Sequence, residues 1–279
     1  MTVGVFGIVL LAAVMHATWN ALVKASADRA IILALISVGH VILGTIAALF
    51  VPIPAIESWP YIAISTIIHW VYYFMLYHSY RLGDLSRVYP ISRGISPVLV
   101  AFGAQFVAGE TLPVEAWFGV LIVSFGIIFL SKADNSSKSS TTATFAALGT
   151  GACIASYTIA DGMGVRVAHS VIGYVAWLFI LEIFVVIYIF YQNRYEITIQ
   201  HKSVWLVGTL GGVVSAAAYG LVIYAKSLTL LALVSTLRET SVIFAALIGI
   251  ILFGERPWKM RIFASCCVLF GVVIIVLAA

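Results

Sequence analysis

Charge is what this sequence lacks. Of 279 residues only 9% are Asp, Glu, Lys or Arg, where a soluble domain carries roughly 25%. So few charges cannot cover a globular surface, which excludes a soluble fold. Cysteine is also scarce. Cys153, Cys266 and Cys267 all lie in apolar stretches and form no CxxC, which excludes a disulfide framework and a thiolate metal site. Long polar segments are missing too, apart from one run from Ser131 to Thr142. Catalytic signatures are absent: there is no P-loop, G-x-S-x-G, HExxH or Rossmann fingerprint. An ATP-driven pump is thereby excluded, and the chain is not expected to be an enzyme. No His, Asp or Cys cluster has metal-ligand spacing, so no metal or cofactor is expected beyond a possible coupled proton.

Hydrophobic residues are abundant at 63%. Apolar runs of about 20 residues, long enough to cross a ~30 Å hydrocarbon core, recur from end to end. A single signal peptide does not explain a pattern that never stops. The runs predict ten membrane spans, near 3–23, 30–51, 60–80, 87–108, 113–131, 144–165, 170–191, 203–225, 231–253 and 258–278. Turn chemistry separates them, as at Pro52-Ile53-Pro54 and Gly254-Glu255-Arg256-Pro257.

One segment occurs twice. Arg81, Arg93, Ser96, Gly109-Glu110 and Gly126 are matched 145 residues later by Lys226, Arg238, Ser241, Gly254-Glu255 and Gly271, with no gap. The expected organisation is a five-helix repeat over 1–131, a linker over 132–143 and a second repeat over 144–279. Five is odd, so the second repeat enters the membrane from the opposite face. The expected fold class is therefore an all-α integral membrane protein of ten transmembrane helices, built as two inverted five-helix repeats. In secondary transporters such repeats enclose a substrate site near the midplane. The recurring carboxylates Glu110 and Glu255 sit in turns on opposite membrane faces and cannot act together. A turn glycine followed by an acidic residue near a helix N-terminus accounts for them.

Polar residues inside hydrocarbon are costly unless paired or facing a wet cavity, so they are the functional candidates. His16, Trp19 and Asn20 lie in the first span, with His16 and Asn20 on one face. His69, Trp70, Tyr73 and Tyr77 lie in the third. Arg93 lies in the fourth, between Pro90 and Pro97. Tyr157 and Asp161 lie four apart in the sixth, Tyr219 lies in the eighth, and Arg238-Glu239 lies in the ninth. Arg93 and Arg238 hold equivalent places and have the geometry to bind a carboxylate or phosphonate bidentately. Alternatively Arg93 pairs with Asp161 or Glu239 and holds the halves together. Glu182, in the seventh span, reads as a peripheral residue.

Ten spans in two halves, with a Gly-Glu turn between the fourth and fifth spans of each, resemble the drug/metabolite transporter superfamily, and more closely its EamA branch. The short stretch His16-Ala17-Thr18-Trp19-Asn20-Ala21-Leu22-Val23-Lys24 is similar to proteins labelled phosphonate-utilisation-associated. The resemblance implies export or exchange of small metabolites, with helices 1, 3, 4, 6, 8 and 9 around a central cavity and 5 and 10 as buttresses. It also implies both termini in the cytoplasm. The loop charges point the other way. Eleven of the fifteen basic residues fall on the face opposite the termini, which by the positive-inside rule puts both termini outside.

The reading is a secondary transporter in the inner membrane, moving a small zwitterionic or anionic metabolite of the amino acid or aminophosphonate class. Arg93 and Arg238 would engage its acidic end, and Asp161 or Glu239 its ammonium or a coupled proton. The alternatives are an organic-cation transporter with an aromatic cage, and a non-transporting scaffold. Expected partners are the small-molecule substrate and membrane lipids, with no nucleic acid, in a monomer or homodimer. The net charge of +4 sits in short loops and implies no nucleic acid partner.

Overall fold

A computed structural model describes residues 1–26, 29–82, 85–132, 141–192, 194 and 202–278, with the backbone alone at 29–30, 76–82 and 85–88. Ten helical spans follow one another: α1 (Val3–Ala25), α2 (Arg29–Ala48), α3 (Trp59–Leu82), α4 (Leu85–Val107), α5 (Val114–Phe129), α6 (Thr141–Val167), α7 (Val171–Gln192), α8 (Lys202–Leu228), α9 (Leu231–Phe253) and α10 (Trp258–Ala278). No strand occurs among the described residues. In hydrocarbon a helix satisfies its own backbone, which is why these apolar runs coil. Eight of the spans are long and apolar enough to cross a membrane by length and composition alone. The other two, α3 and α4, hold His69, Tyr72, Tyr73, Tyr89 and Arg93. Large apolar side chains such as Phe102, Phe106, Leu252 and Leu277 point outward, as a lipid-facing surface requires.

Several principal packings recur when the halves are exchanged. α3 lies on α6 and α8 on α1. α4 packs on α6 and α9 on α1. α4 touches α5 and α9 touches α10. The α5–α10 contact gives the sense of the symmetry. A Cβ on Gly119 would stand 2.7 Å from the Gly271 carbonyl oxygen, and one on Gly271 would stand 2.7 Å from the Gly119 carbonyl oxygen. Further along α5, Gly126 meets Ala264, which lies earlier in α10. A shift of 145 turns Gly126 into Gly271 and Gly119 into Ala264, so the two contacts are one contact seen from each half. α5 and α10 therefore run antiparallel, and equivalent helices running antiparallel make the repeats inverted.

The two Gly-Glu turns have matching backbones. Gly109 has φ 65° and Gly254 φ 62°, the left-handed conformation that glycine adopts without a Cβ penalty. Glu110 N–H donates to the Ala104 carbonyl at 3.2 Å, and Glu255 N–H to the Gly249 carbonyl at 3.0 Å. The carboxylates do more than complement a helix terminus. Glu110 Oε1 lies 2.7 Å from Arg166 Nη2 at the end of α6, and its Oε2 accepts from the Leu231 N–H at 2.8 Å. Glu255 pairs with Lys24 at the end of α1 and with Arg261 at 2.7 Å. Each repeat thus clasps the first helix of the other, one clasp at each membrane face.

On the terminal face, Lys226 is fully buried, and Arg166, though exposed, pairs with Glu110. The burial of Lys226 sharpens the asymmetry in loop charge. We expect the linker face in the cytoplasm and both termini outside. Alkaline phosphatase fused after Ala279 should be active and green fluorescent protein there dark; the reverse pattern would overturn this orientation. The α5–α10 seam has its own test. Gly119→Ala and Gly271→Ala should destabilise the protein about equally, by about 1–3 kcal/mol each, seen as lower unfolding temperatures in detergent.

Candidate functional site

Two spans break near the middle of the membrane. α7 stops at Leu181 and restarts at Ile183, with Glu182 between. α9 stops at Arg238 and restarts at Ser241, with Glu239-Thr240 between. The counterpart of α9 is α4, which carries Pro90 and Pro97 inside its helix. Each proline removes a backbone donor and loosens the turn before it. Interrupted helices near the midplane are a common place for transporter sites.

Arg93 and Arg238 are each 4% exposed, and Glu239 is completely buried. Arg93 Nη2 lies 2.8 Å from Glu239 Oε1, so an ion pair joins α4 to α9. The groups touch, yet the N–H bonds do not point along the contact. Nε and Nη2 of Arg93 and both oxygens of Glu239 stay without a hydrogen-bond partner. Arg238 forms no ion pair among the described residues, and its Nε and Nη2 also lack an acceptor. Two guanidinium groups against one carboxylate leave one positive charge over, and it belongs to Arg238.

Both arginines line a central cavity of about 1020 Å³, its open mouth included. α1 contributes His16, Trp19 and Asn20. α3 contributes His69, Tyr72 and Tyr73. Tyr89 comes from α4, Tyr157 from α6 and Tyr219 from α8. On the far side stand His40 from α2 with Phe179 and Glu182 from α7. Along α1 to α4 the lining runs from mid-depth toward the linker face, and the Glu110–Arg166 clasp closes the other end.

The local geometry explains how several of these side chains are held. Trp19 Nε1 donates to His16 Nδ1 at 3.3 Å, and Asn20 Nδ2 to the His16 carbonyl at 2.8 Å. His69 Nδ1 lies 2.8 Å from the Ser65 carbonyl. A carbonyl only accepts, so Nδ1 carries the proton and Nε2 faces inward as an acceptor. The His69 ring stacks on Tyr157 at 4.1 Å. His40 Nδ1 lies 2.9 Å from Glu182 Oε2, and both residues are buried.

Of the thirteen residues singled out by sequence, nine line the cavity: His16, Trp19, Asn20, His69, Tyr73, Arg93, Tyr157, Tyr219 and Arg238. Trp70 lies outside the main cavity: it packs on Phe184 with 36% exposure and lines a small adjoining pocket with His69, Phe179, Glu182 and Tyr219. Glu239 stands behind Arg93, not in the wall. Asp161 is also behind the wall, completely buried, accepting from the Tyr219 hydroxyl and from Tyr174 at 3.3 Å. The side chain of Tyr77 lies outside the described residues. Sequence reasoning missed His40, Tyr72, Tyr89 and Ser215. It also misplaced Glu182, which is in the cavity wall and not at the periphery.

A family model described as the EamA-like transporter family matches residues 141–277. The second half of the chain thus matches this family nearly end to end. As an EamA-like protein the chain is a multi-pass membrane transporter of small molecules. The first half follows the same plan by the internal repeat. Among solved structures, a protein crystal structure matches 100% of this chain and 98% of its own, with a TM-score of 0.75 and 16% identity. At that identity the likeness shows the fold alone. No curated protein sequence matches the chain.

The Arg93–Glu239 pair predicts a particular mutational pattern. Glu239→Gln strands a buried guanidinium and should cost about 3–5 kcal/mol. The double variant Arg93→Gln/Glu239→Gln removes both charges and should recover much of that loss. Thermal unfolding in detergent of these two variants and of Arg93→Gln alone measures the coupling. Additive effects would mean that the pair is not the contact that matters.

Proposed function

We propose that this EamA-like transporter works by alternating access on a small zwitterionic or anionic metabolite of the amino acid or aminophosphonate class. The observation that carries the reading is Arg238: a buried guanidinium at the cavity wall, with no acidic partner among the described residues. A carboxylate or phosphonate is the group that completes it. The same cavity has a carboxylate, Glu182, in its wall beside His40. Separate basic and acidic walls suit a substrate with an acidic and an ammonium end. This moves the ammonium site from Asp161 or Glu239 to Glu182, because neither of those reaches the cavity.

Alternating access draws on the inverted repeats and on the paired clasps at the two faces. Rocking one repeat on the other would open one clasp and keep the other shut. A second reading has its own support. Trp19, Tyr72, Tyr73, Tyr89, Tyr157 and Tyr219 surround the cavity, and aromatic faces with a nearby carboxylate attract organic cations.

Purified protein in liposomes decides between them. A panel of labelled L-amino acids and 2-aminoethylphosphonate should show saturable exchange with at least one member. Arg238→Gln should weaken binding of that probe by about 2–4 kcal/mol, roughly 30- to 700-fold in Kd. Transport of labelled choline by wild type, unharmed or improved by Arg238→Gln, would establish the aromatic-cage reading. No saturable flux of any probe would sink both and favour a non-transporting scaffold.

A further inference from the structure

Behind the cavity wall lies a second charged pair that the substrate site does not use. Lys226 and Asp161 are both completely buried, with Nζ 4.0 Å from Oδ2. At that distance they attract without a hydrogen bond, and Nζ has no hydrogen-bond partner. Asp161 is held by the hydroxyls of Tyr219 and Tyr174. The Tyr219 hydroxyl also lies 3.4 Å from His69 Nε2, and the Lys226 Nζ sits 5.7 Å from the Tyr219 ring centroid. A line of polar atoms therefore runs from the cavity wall at His69, through Tyr219 and Asp161, to a lysine sealed from the cavity.

The surroundings of that lysine are otherwise almost uncharged. The groups that face the pair are Asp161 and Tyr157 on α6, Tyr174 on α7, Tyr219 on α8 and Arg238 on α9, with Tyr61 on α3 beside Tyr174. Arg166 reaches only the Lys226 carbonyl, at 3.2 Å. A purely structural lysine would be anchored by acceptors. This one is poised between the cost of desolvation and the pull of one carboxylate, which is what a group that loads and unloads a proton requires.

We propose that Lys226, with Asp161 as its counter-charge, is the proton carrier of this transporter and moves one proton in the same direction as the substrate. The inference rests on the reading that an acidic group binds at Arg238. Arg238 and Lys226 repel each other when both are charged. An anion on Arg238 cancels that repulsion, so substrate favours the loaded lysine and, by linkage, the proton favours substrate. The transfer balances at every atom. A cavity proton protonates His69 Nε2. The new N–H gives its proton to the Tyr219 oxygen as the Tyr219 hydroxyl passes its own to Asp161 Oδ2. Asp161 then hands that proton to the Lys226 lone pair, once side-chain motion closes the 4.0 Å gap. His69, Tyr219 and Asp161 end as they began, and Lys226 ends as ammonium.

Exchange of labelled for unlabelled substrate needs no proton turnover, whereas net flux driven by a pH gradient does. In proteoliposomes with pyranine inside, the amino acid or 2-aminoethylphosphonate probe that exchanges should also accumulate on the alkaline side, carrying protons with it. Lys226→Met should keep exchange within about threefold and lose gradient-driven accumulation at least tenfold. Asp161→Asn/Lys226→Met removes both buried charges and, eluting as a single sharp peak, should behave the same way. Gradient-driven accumulation in Lys226→Met equal to wild type would overturn the proposal. So would flux that follows a sodium gradient and ignores pH, or a folded double variant that loses exchange as well. Wild-type protein that exchanges no probe overturns the substrate reading and this one with it; intact exchange with no proton movement overturns this one alone.

Discussion

An arginine in the hydrocarbon layer must be paired or wet, and the interior of this protein is arranged around that requirement. The duplicated fold places two of them, Arg93 and Arg238, at equivalent positions in helices from opposite halves. One carboxylate, Glu239, serves the first. The second is left to the cavity. Polar side chains that would be expensive elsewhere in the bundle are therefore gathered where α1 to α4 and α6 to α9 converge. α5 and α10 hold no charge at their seam and pack through glycine, backbone against backbone. The division between a polar centre and an apolar buttress follows from where charge can be tolerated.

The clasps at the two faces extend the same logic to the membrane edges. Glu110 and Glu255 are copies, and each draws a cation from the end of the other half's first helix. The partners are not identical, Lys24 on one side and Arg166 on the other. Glu110 also caps the first free N–H of α9 through Leu231. The two faces are thus closed by similar but unequal contacts, which gives an inverted pair of repeats a basis for preferring one opening over the other.

How much of this was legible in the sequence depended on whether the signal was local. The ten spans were, because apolar length is a local property. The inversion was, because a shared register of Arg, Gly-Glu and Gly needs only a count of five. Nine of the proposed cavity residues lie in its wall because an intramembrane polar group rarely faces lipid. The exact place of Trp70 was not legible: one residue of helix rotation moves it from the main wall beside His69 to a small adjoining pocket. Glu182 was misread because its partner His40 is 142 residues away and α2 offers no pattern to announce it. The depth of Asp161 was hidden for the same reason. Its donors come from two other helices, Tyr174 and Tyr219, and no spacing within α6 distinguishes a wall residue from one behind it.

The mismatches of the repeat carry more of the chemistry than its matches. If both halves had kept an acid after the arginine, each guanidinium would be neutralised, and the centre of the protein would be a closed scaffold. Gly94 stands where Glu239 has its copy, so one carboxylate meets two arginines. That single departure from symmetry leaves one positive charge at the wall of a cavity whose other wall holds Glu182. It also sets that charge against Lys226, whose one ion-pair partner among the described residues is Asp161. An anion on Arg238 would therefore be felt at Lys226 without any contact between them, because in a medium of low dielectric the two cations see each other across the wall. Duplication supplies the frame and the seam. A missing carboxylate at position 94 makes the frame a site.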